Sequence, residues 1–206
     1  MRELNNTFWI VSVLCTLTMA QYIPFLDNAN RLFQKRFCFT QTTAGEVITV
    51  TYIATAVFSG ILGILVNRVG YRRYFIMGAA FIFFLAHTII WAYPQCDGEA
   101  EYATIWGLLL LGIGYSFYAN VIVAAIPMVV QRKVLGSAIG IMEIISSLAE
   151  CLVPLATATM IQNSDIKEDG FRQSSFFFFL IGLIGVLTSF SLFFIERKMK
   201  KRLDKG

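Results

Sequence analysis

The stretch "GILVNRVGYRR", Gly63–Arg73, sets the reading of the whole chain, because three arginines and an asparagine crowd there between two long apolar runs. About 20 helical residues, rising 1.5 Å each, cross the roughly 30 Å hydrocarbon core of a bilayer. The runs that end and begin at this turn have that length. The cluster therefore reads as a tight junction between two membrane-crossing helices, held at the aqueous surface by its arginines.

Working outward, apolar runs of the same kind cover about 8–26, 43–66, 74–94, 103–130, 135–161 and 174–195. The 206 residues are 57% hydrophobic and 15% charged, with a mean hydropathy of +0.66. A soluble domain of this size carries more charge on its surface. The expected fold is an all-α membrane protein, with residues 1–206 forming one six-helix transmembrane bundle and residues 196–206 a basic tail.

The net charge of +4 does not point to nucleic acid, because its distribution follows the membrane. Arg2, Arg68, Arg72, Arg73, Arg132, Lys133, Arg197, Lys198, Lys200, Lys201, Arg202 and Lys205 fall on one side, 12 of the 17 Lys and Arg. Arg31, Lys35, Arg36, Lys167 and Arg172 fall on the other, among most of the loop acids. By the positive-inside rule both termini are cytoplasmic, which requires an even number of spans. The segment "QKRF" at 34–37 dissents, unless it is a helix end. The tail "ERKMKKRLDKG" reads as a solvated stop-transfer anchor or as a patch for anionic head groups of membrane lipids.

The first apolar run has no basic n-region and no small-residue cleavage pattern, so it reads as a retained span. Cys15 and Cys151 lie within spans and read as small apolar residues. Cys38 and Cys96 fall in loops on one side, where a disulfide is compatible with the topology but their distance is not fixed. No metal spacing and no cofactor motif appears. Asn5-Asn6-Thr7 is a glycosylation sequon on the cytoplasmic side, expected unmodified.

The turn itself has the pattern Gly63-x-Leu65-x-Asn67-Arg68-x-Gly70-Tyr71-Arg72-Arg73. It resembles the cytoplasmic loop signature of the major facilitator superfamily, G-x-L-x-D-R-x-G-R-[KR]-[KR], departing at Asn67 and Tyr71. Gly63 allows close helix approach, and Gly70 can take the positive φ of a tight turn. The resemblance implies a gating loop at Gly63, Asn67, Arg68, Gly70, Arg72 and Arg73, with the acidic part of the latch altered at Asn67. Further stretches are "FWIVSVLC" (Phe8–Cys15) with Pro24-Phe25, "FQKRFCFTQTTAG" (Phe33–Gly45), "GIGYSFYANVIVAAIPMVV" (Gly112–Val130) and "LGSAIGIMEIISSL" (Leu135–Leu148). Together they resemble the C-terminal half of a lysosomal dipeptide transporter of that superfamily, over about residues 8–197. The resemblance implies one half of a two-bundle fold that alternates access to a midplane site. It also implies short peptides or amino-acid-like solutes as substrates and a glycosylated accessory membrane protein as a partner. The related transporter looks to carry a neutral polar residue at the place of Glu143.

Ionisable groups inside a membrane are costly and mark sites. Glu143 and Glu150 lie seven residues apart on one face of the fifth span, with Ser146 and Ser147 between them. That stripe suits a cavity wall binding a cationic group of a small polar solute, with Glu143 and Glu150 as proton-coupling candidates. The plain alternative is that each acid meets a base or amide of a neighbouring helix. Tyr115, Tyr118 and Asn120 in the fourth span suit hydrogen bonding to a peptide-like solute. Tyr22 lies beside Pro24, where a helix break can expose backbone carbonyls. Tyr52 and Glu46 are weaker candidates, and His87 reads as packing. Gly136 and Gly140 read as a helix-packing surface, and the "FFFF" run at 176–179 as lipid-facing.

No nucleophile–base arrangement or paired-carboxylate cleft appears, so the expectation is not an enzyme. The leading reading is a transporter, or half-transporter, in a lysosomal, vacuolar or plasma membrane, completed by an N-terminal six-helix half or a second copy. The alternatives are a non-transporting accessory subunit and a truncated fragment of a twelve-helix transporter.

Overall fold

The computed structural model describes residues 6–164 and 167–198. Six membrane-length helices run in order: α1 (Asn6–Arg36), α2 (Gln41–Val69), α3 (Arg72–Ala92), α4 (Tyr102–Val129), α5 (Leu135–Gln162) and α6 (Lys167–Lys198). The basic tail beyond residue 198 and Asn5 of the sequon lie outside the described residues.

Helix ends follow local chemistry. The Thr40 hydroxyl accepts from Thr43 N at 3.2 Å and caps the start of α2. Gly70, at φ 68°, ends α2 while its N–H still bonds the Val66 carbonyl. Tyr71 follows in the left-handed region at φ 44°, and α3 begins at once. The first helix runs ten residues past its expected end at 26. Pro24 sits inside it, and buried Ala29, Leu32 and Phe33 continue the apolar stripe beyond. Lys35 and Arg36 are therefore the last turn of a helix, where the macrodipole favours cations. That position removes the conflict with the charge rule.

The bundle is organised around α1, which packs against α6, α5, α2 and α4, while α2 and α3 both pack on α4 and α3 also packs on α6. Burial is uneven: 56% of the apolar window of α1 is buried against 22% for α2 and for α5. Those two helices each keep a broad outer face, with Ile53, Val57, Ile61 and Ile64 on α2 and Ile144, Leu148, Leu152 and Leu155 on α5 all exposed. The interior forms two apolar cores. One contains Phe25, Phe33, Phe83, Leu108 and Phe178, the other Phe8, Val11, Val66, Ile76, Val121 and Ile126. Tyr115 packs against both.

The closest crossing joins α2 to α4. A Cβ at Gly112 would collide with the Thr51 carbonyl and the Ala54 side chain. Around it the Thr55 hydroxyl donates to the Gly112 carbonyl at 3.2 Å, and the Ser116 hydroxyl reaches the Thr55 carbonyl at 3.0 Å. Bilayer-embedded helices gain little from the hydrophobic effect, so such small-residue contacts and hydroxyl bonds carry their association.

Two expectations about individual residues resolve differently. His87 packs as expected, 1% exposed at the α1–α3–α6 junction, edge-on to Phe25 and stacked on Phe178. The "FFFF" run does not face lipid as a block. Four consecutive helical residues sweep about 300° of arc, so Phe176 is exposed while Phe178 is fully buried.

Cys38 and Cys96 are bonded, with their Cα atoms 6.0 Å apart. The link ties the α1–α2 loop to the α3–α4 loop. Cys96 N also donates to the Arg36 carbonyl at 3.1 Å, and Glu101 N to the Phe37 carbonyl at 3.2 Å.

Gly112→Leu should lower thermal stability in detergent by the equivalent of about 1–3 kcal/mol. Gly78→Leu, which points into open space, should stay within about 0.5 kcal/mol of the parent. Equal melting temperatures for the two variants would contradict the crossing. Reducing the disulfide, or replacing both cysteines by serine, should cost about 2–4 kcal/mol. Melting curves with and without reductant measure this directly.

Candidate functional site

The outer face of α5 is lined by Gly136, Gly140, Glu143 and Ser147, all exposed. No atom of the bundle lies within 4 Å of a Cβ built on either glycine. The expected packing surface is thus turned away from the other five helices. The inner face presents Met142, Ser146, Val153 and Thr157, all buried. The Ser146 and Thr16 hydroxyls meet at 3.3 Å and join α5 to α1.

Glu143 is exposed and Glu150 half-buried. Glu143 lies within electrostatic reach of Cys15 and Tyr118, and Glu150 within reach of Tyr115 and Tyr118. The charged groups that act on Glu150 are Glu143 and Asp27 of α1, both acids. Three carboxyl groups thus share one neighbourhood beside a set of tyrosines.

Those tyrosines form a column. The Tyr22 ring stacks on Tyr115 with centroids 4.1 Å apart and planes 13° from parallel, and Tyr115 stacks on Tyr118 at 5.5 Å. Tyr22 and Tyr118 are buried and Tyr115 is half-buried. The Tyr22 hydroxyl is within hydrogen-bonding reach of the Thr55 side chain. Near Pro24, Asn28 Nδ2 donates to the proline's own carbonyl at 3.1 Å.

Tyr118 and Asn120 occupy a stretch that no sequence pattern announced. Tyr118–Ile122 is a π-helical turn within α4. Pro127, five residues beyond it, removes a backbone donor and crowds the turn before it. Such widened turns are frequent at functional sites. Asn120 Nδ2 donates to Ser59 Oγ and to the Ser116 carbonyl, both at 2.9 Å. A Cβ on Gly63 would sit 3.2 Å from Asn120 Oδ1. Asn120 is thereby bonded into the α2–α4 joint, opposite the first glycine of the loop signature.

In the loop, Asn67 and Arg68 are exposed. Arg72 Nη1 donates to the Ala124 carbonyl of α4 at 3.2 Å. Arg73 is buried, with its guanidinium 4.9 Å from the centre of the Tyr74 ring. Arg68 thus stands at the surface, Arg72 ties α3 to α4, and Arg73 is buried against Tyr74 of its own helix. Of the weaker candidates, Tyr52 is 55% exposed and Glu46 is also at the surface.

Sequence reading did not single out Asp27, Thr16, or the cations Arg31 and Lys35 as site residues. Arg31 and Lys35 line a cavity of about 650 Å³ between α1 and α5, with Gln34, Gln41, Gln162 and Ser164. A signal was available for Asp27 and Arg31, which are four residues apart and so stand on one helix face. A first span that ends at 26 leaves both outside the helix, whereas α1 runs to Arg36.

Comparisons with known proteins bear on the family. The profile of the Major Facilitator Superfamily matches residues 7–206. The chain is similar to the lysosomal dipeptide transporter MFSD1 of Gallus gallus, 27% identical over 164 residues that cover 78% of the chain and 35% of that protein. The similarity to MFSD1 of Danio rerio is 26% over 164 residues, covering 78% and 33%. For MFSD1 of Homo sapiens it is 22% over 207 residues, covering 98% and 41%. The chain thus spans about a third to two-fifths of the length of the curated relatives it matches. Six membrane-length helices, the glycine- and arginine-bearing turn between α2 and α3, and a profile match along nearly the whole chain lead to one conclusion: this multi-pass integral membrane protein belongs to the major facilitator superfamily.

Proposed function

We propose that this bundle is one six-helix half of a secondary transporter for small zwitterionic solutes, dipeptides among them, working by alternating access. The observation that carries the reading is the acid group on α1 and α5: Glu143 and Asp27 both act on Glu150, beside the tyrosine column. Carboxylates gathered in one place suit a substrate ammonium or a transported proton. Glu143 and Glu150 are the coupling candidates, and Tyr22, Tyr115, Tyr118 and Ser146 supply the wall. Asn120 acts through the joint with Ser59 rather than by direct contact.

The cations beyond the acids support the choice of substrate. Asp27 and Arg31 are one helical turn apart, a rise of about 6 Å. An extended dipeptide spans about 7 Å from amino to carboxyl end. A zwitterion can thus place its ammonium near Asp27 and Glu150 and its carboxylate towards Arg31 and Lys35. The lysosomal dipeptide transporters among the relatives support the same class of solute and a lysosomal membrane.

The open faces of α2 and α5 support a complementary bundle, either an N-terminal six-helix half or a second copy. The Gly136–Gly140 stripe gives another helix close access. Both termini then face the cytoplasm. The disulfide supports placing the loops of Cys38 and Cys96 on the oxidising side. In this arrangement the Gly63–Arg73 turn is the gating loop, and a glycosylated accessory membrane protein would meet the opposite end.

Uptake of a labelled dipeptide into membrane vesicles from cells expressing the protein tests the reading. Glu143→Gln should lower uptake at least tenfold, the effect of losing a charge-assisted hydrogen bond of about 1.5–3 kcal/mol. Glu46→Gln, at the surface of α2, should leave uptake unchanged. If the parent protein neither takes up dipeptide nor gains thermal stability from it at millimolar concentration, the reading gives way to an accessory subunit or a fragment of a twelve-helix transporter.

A further inference from the structure

On the α3–α6 side of the disulfide end, a cavity of about 470 Å³ is lined by Arg36, Trp91, Tyr93, Gln95, Asp169 and Arg172. A second hollow shares Trp91, Asp169 and Arg172 and continues along α6 past Gln173 to Phe176. The two make one groove that passes from a charged end to an aromatic one.

The charged end is built around a buried cation. Arg36 is 3% exposed. Its Nη1 donates to the Ser175 hydroxyl at 3.0 Å, and its Nη2 to the Trp91 and Tyr93 carbonyls at 2.7 Å each. These bonds fix the guanidinium plane and use three of its five N–H groups. All three acceptors are neutral, so the positive charge is oriented but not cancelled. The charged side chain that acts on Arg36 is Arg172, a second cation. Among the described lining residues Asp169 is the one carboxylate, so two positive charges and one negative give that set a charge of +1. A buried charge is costly unless something of opposite sign meets it.

The other end is apolar and faces outward. Trp91 packs at a tilt against Phe176 at 5.2 Å and stacks on Phe179 at 5.0 Å, and Phe176 is 40% exposed. Trp91 and Tyr93 close the membrane-length helix α3, and tryptophan and tyrosine collect at the boundary between head groups and acyl chains. A soluble anion would use the arginines and leave this ledge idle. A peptide would leave the bilayer side open. A molecule with an anionic head and a hydrocarbon chain uses both ends.

We propose that the groove is a binding site for a phospholipid of net charge −1, its phosphate held by Arg36 and Arg172 and its acyl chain laid along Trp91, Phe176 and Phe179. The planar, always-charged guanidinium matches the two free oxygens of a phosphodiester. The net charge of the groove selects an anionic over a zwitterionic head group. Because Arg36 also binds the ends of α3 and the start of α6 together, a bound lipid would brace the disulfide end of the bundle.

The test is native mass spectrometry of the protein from nanodiscs containing equal amounts of phosphatidylglycerol and phosphatidylcholine, for the parent, Arg172→Gln and Phe176→Ala. The parent should retain one phosphatidylglycerol in preference to phosphatidylcholine, by roughly fivefold per arginine. Arg172→Gln removes an exposed side chain, so folding should survive while the preference falls about fivefold. Phe176→Ala should weaken retention of both lipids and leave the preference intact. Arg36→Gln provides a second variant at the buried position. Equal retention of the two lipids by the parent, or a preference untouched by Arg172→Gln, would overturn the proposal. In a parallel arm the protein in lipid-free detergent is titrated with inorganic phosphate. Stabilisation there at millimolar phosphate, without a retained lipid, would assign the arginines to a soluble anion and reject the lipid.

Discussion

The crossing of α2 over α4 at Gly112 is the contact on which the rest of the bundle depends. Without a side chain at that point, the α4 backbone comes against the Thr51 carbonyl, and Thr55 and Ser116 close hydrogen bonds across the gap. About two turns further along α4 the same approach lets Asn120 reach Ser59 opposite Gly63. The approach also fixes the azimuth of α4, and so turns Tyr115 and Tyr118 towards α1. A larger residue at 112 would move the whole aromatic column, not a single ring.

Hydroxyl groups make such a crossing tolerable in a bilayer. Thr18, Thr55, Thr88, Ser116 and Ser175 each donate to the carbonyl four residues earlier on their own helix. These bonds satisfy polar atoms where water cannot, and they allow the helices to be matched by shape. The carboxyl groups are treated differently. Glu143 is left at the surface of α5 and Glu150 half-covered, where their protons and partners can change. These hydroxyls, which bond within their own helices, are thus set apart from the Glu143 and Glu150 carboxyls, which stand at or near the surface of α5.

Much of this was legible from residues alone, for physical reasons. Span number follows from bilayer thickness, and the Gly70 turn from the one residue that takes positive φ without strain. The stripe from Glu143 to Glu150 follows from helical periodicity. What escaped reading depends on groups distant in sequence or on backbone response. Lys35 and Arg36 look alike whether they sit in a loop or in a final helical turn. The disulfide joins residues separated by 58 positions, a distance that only the packing of α1 against α3 and α4 can close. The π turn at Tyr118 answers to Pro127 and to the α2 crossing together, so no local pattern specifies it. Its effect falls on Tyr118 and Asn120, two of the residues first chosen on composition.

The Cys38–Cys96 link also bears on how the chain is inserted. Between the two cysteines lie two complete helices, α2 and α3, one crossing the bilayer and the other returning. If either helix failed to cross, the thiols would be stranded in different compartments and no oxidase could join them. The bond thus excludes chains in which one of the two helices has crossed and the other has not, and a quality-control system that discards unoxidised chains would discard those with them.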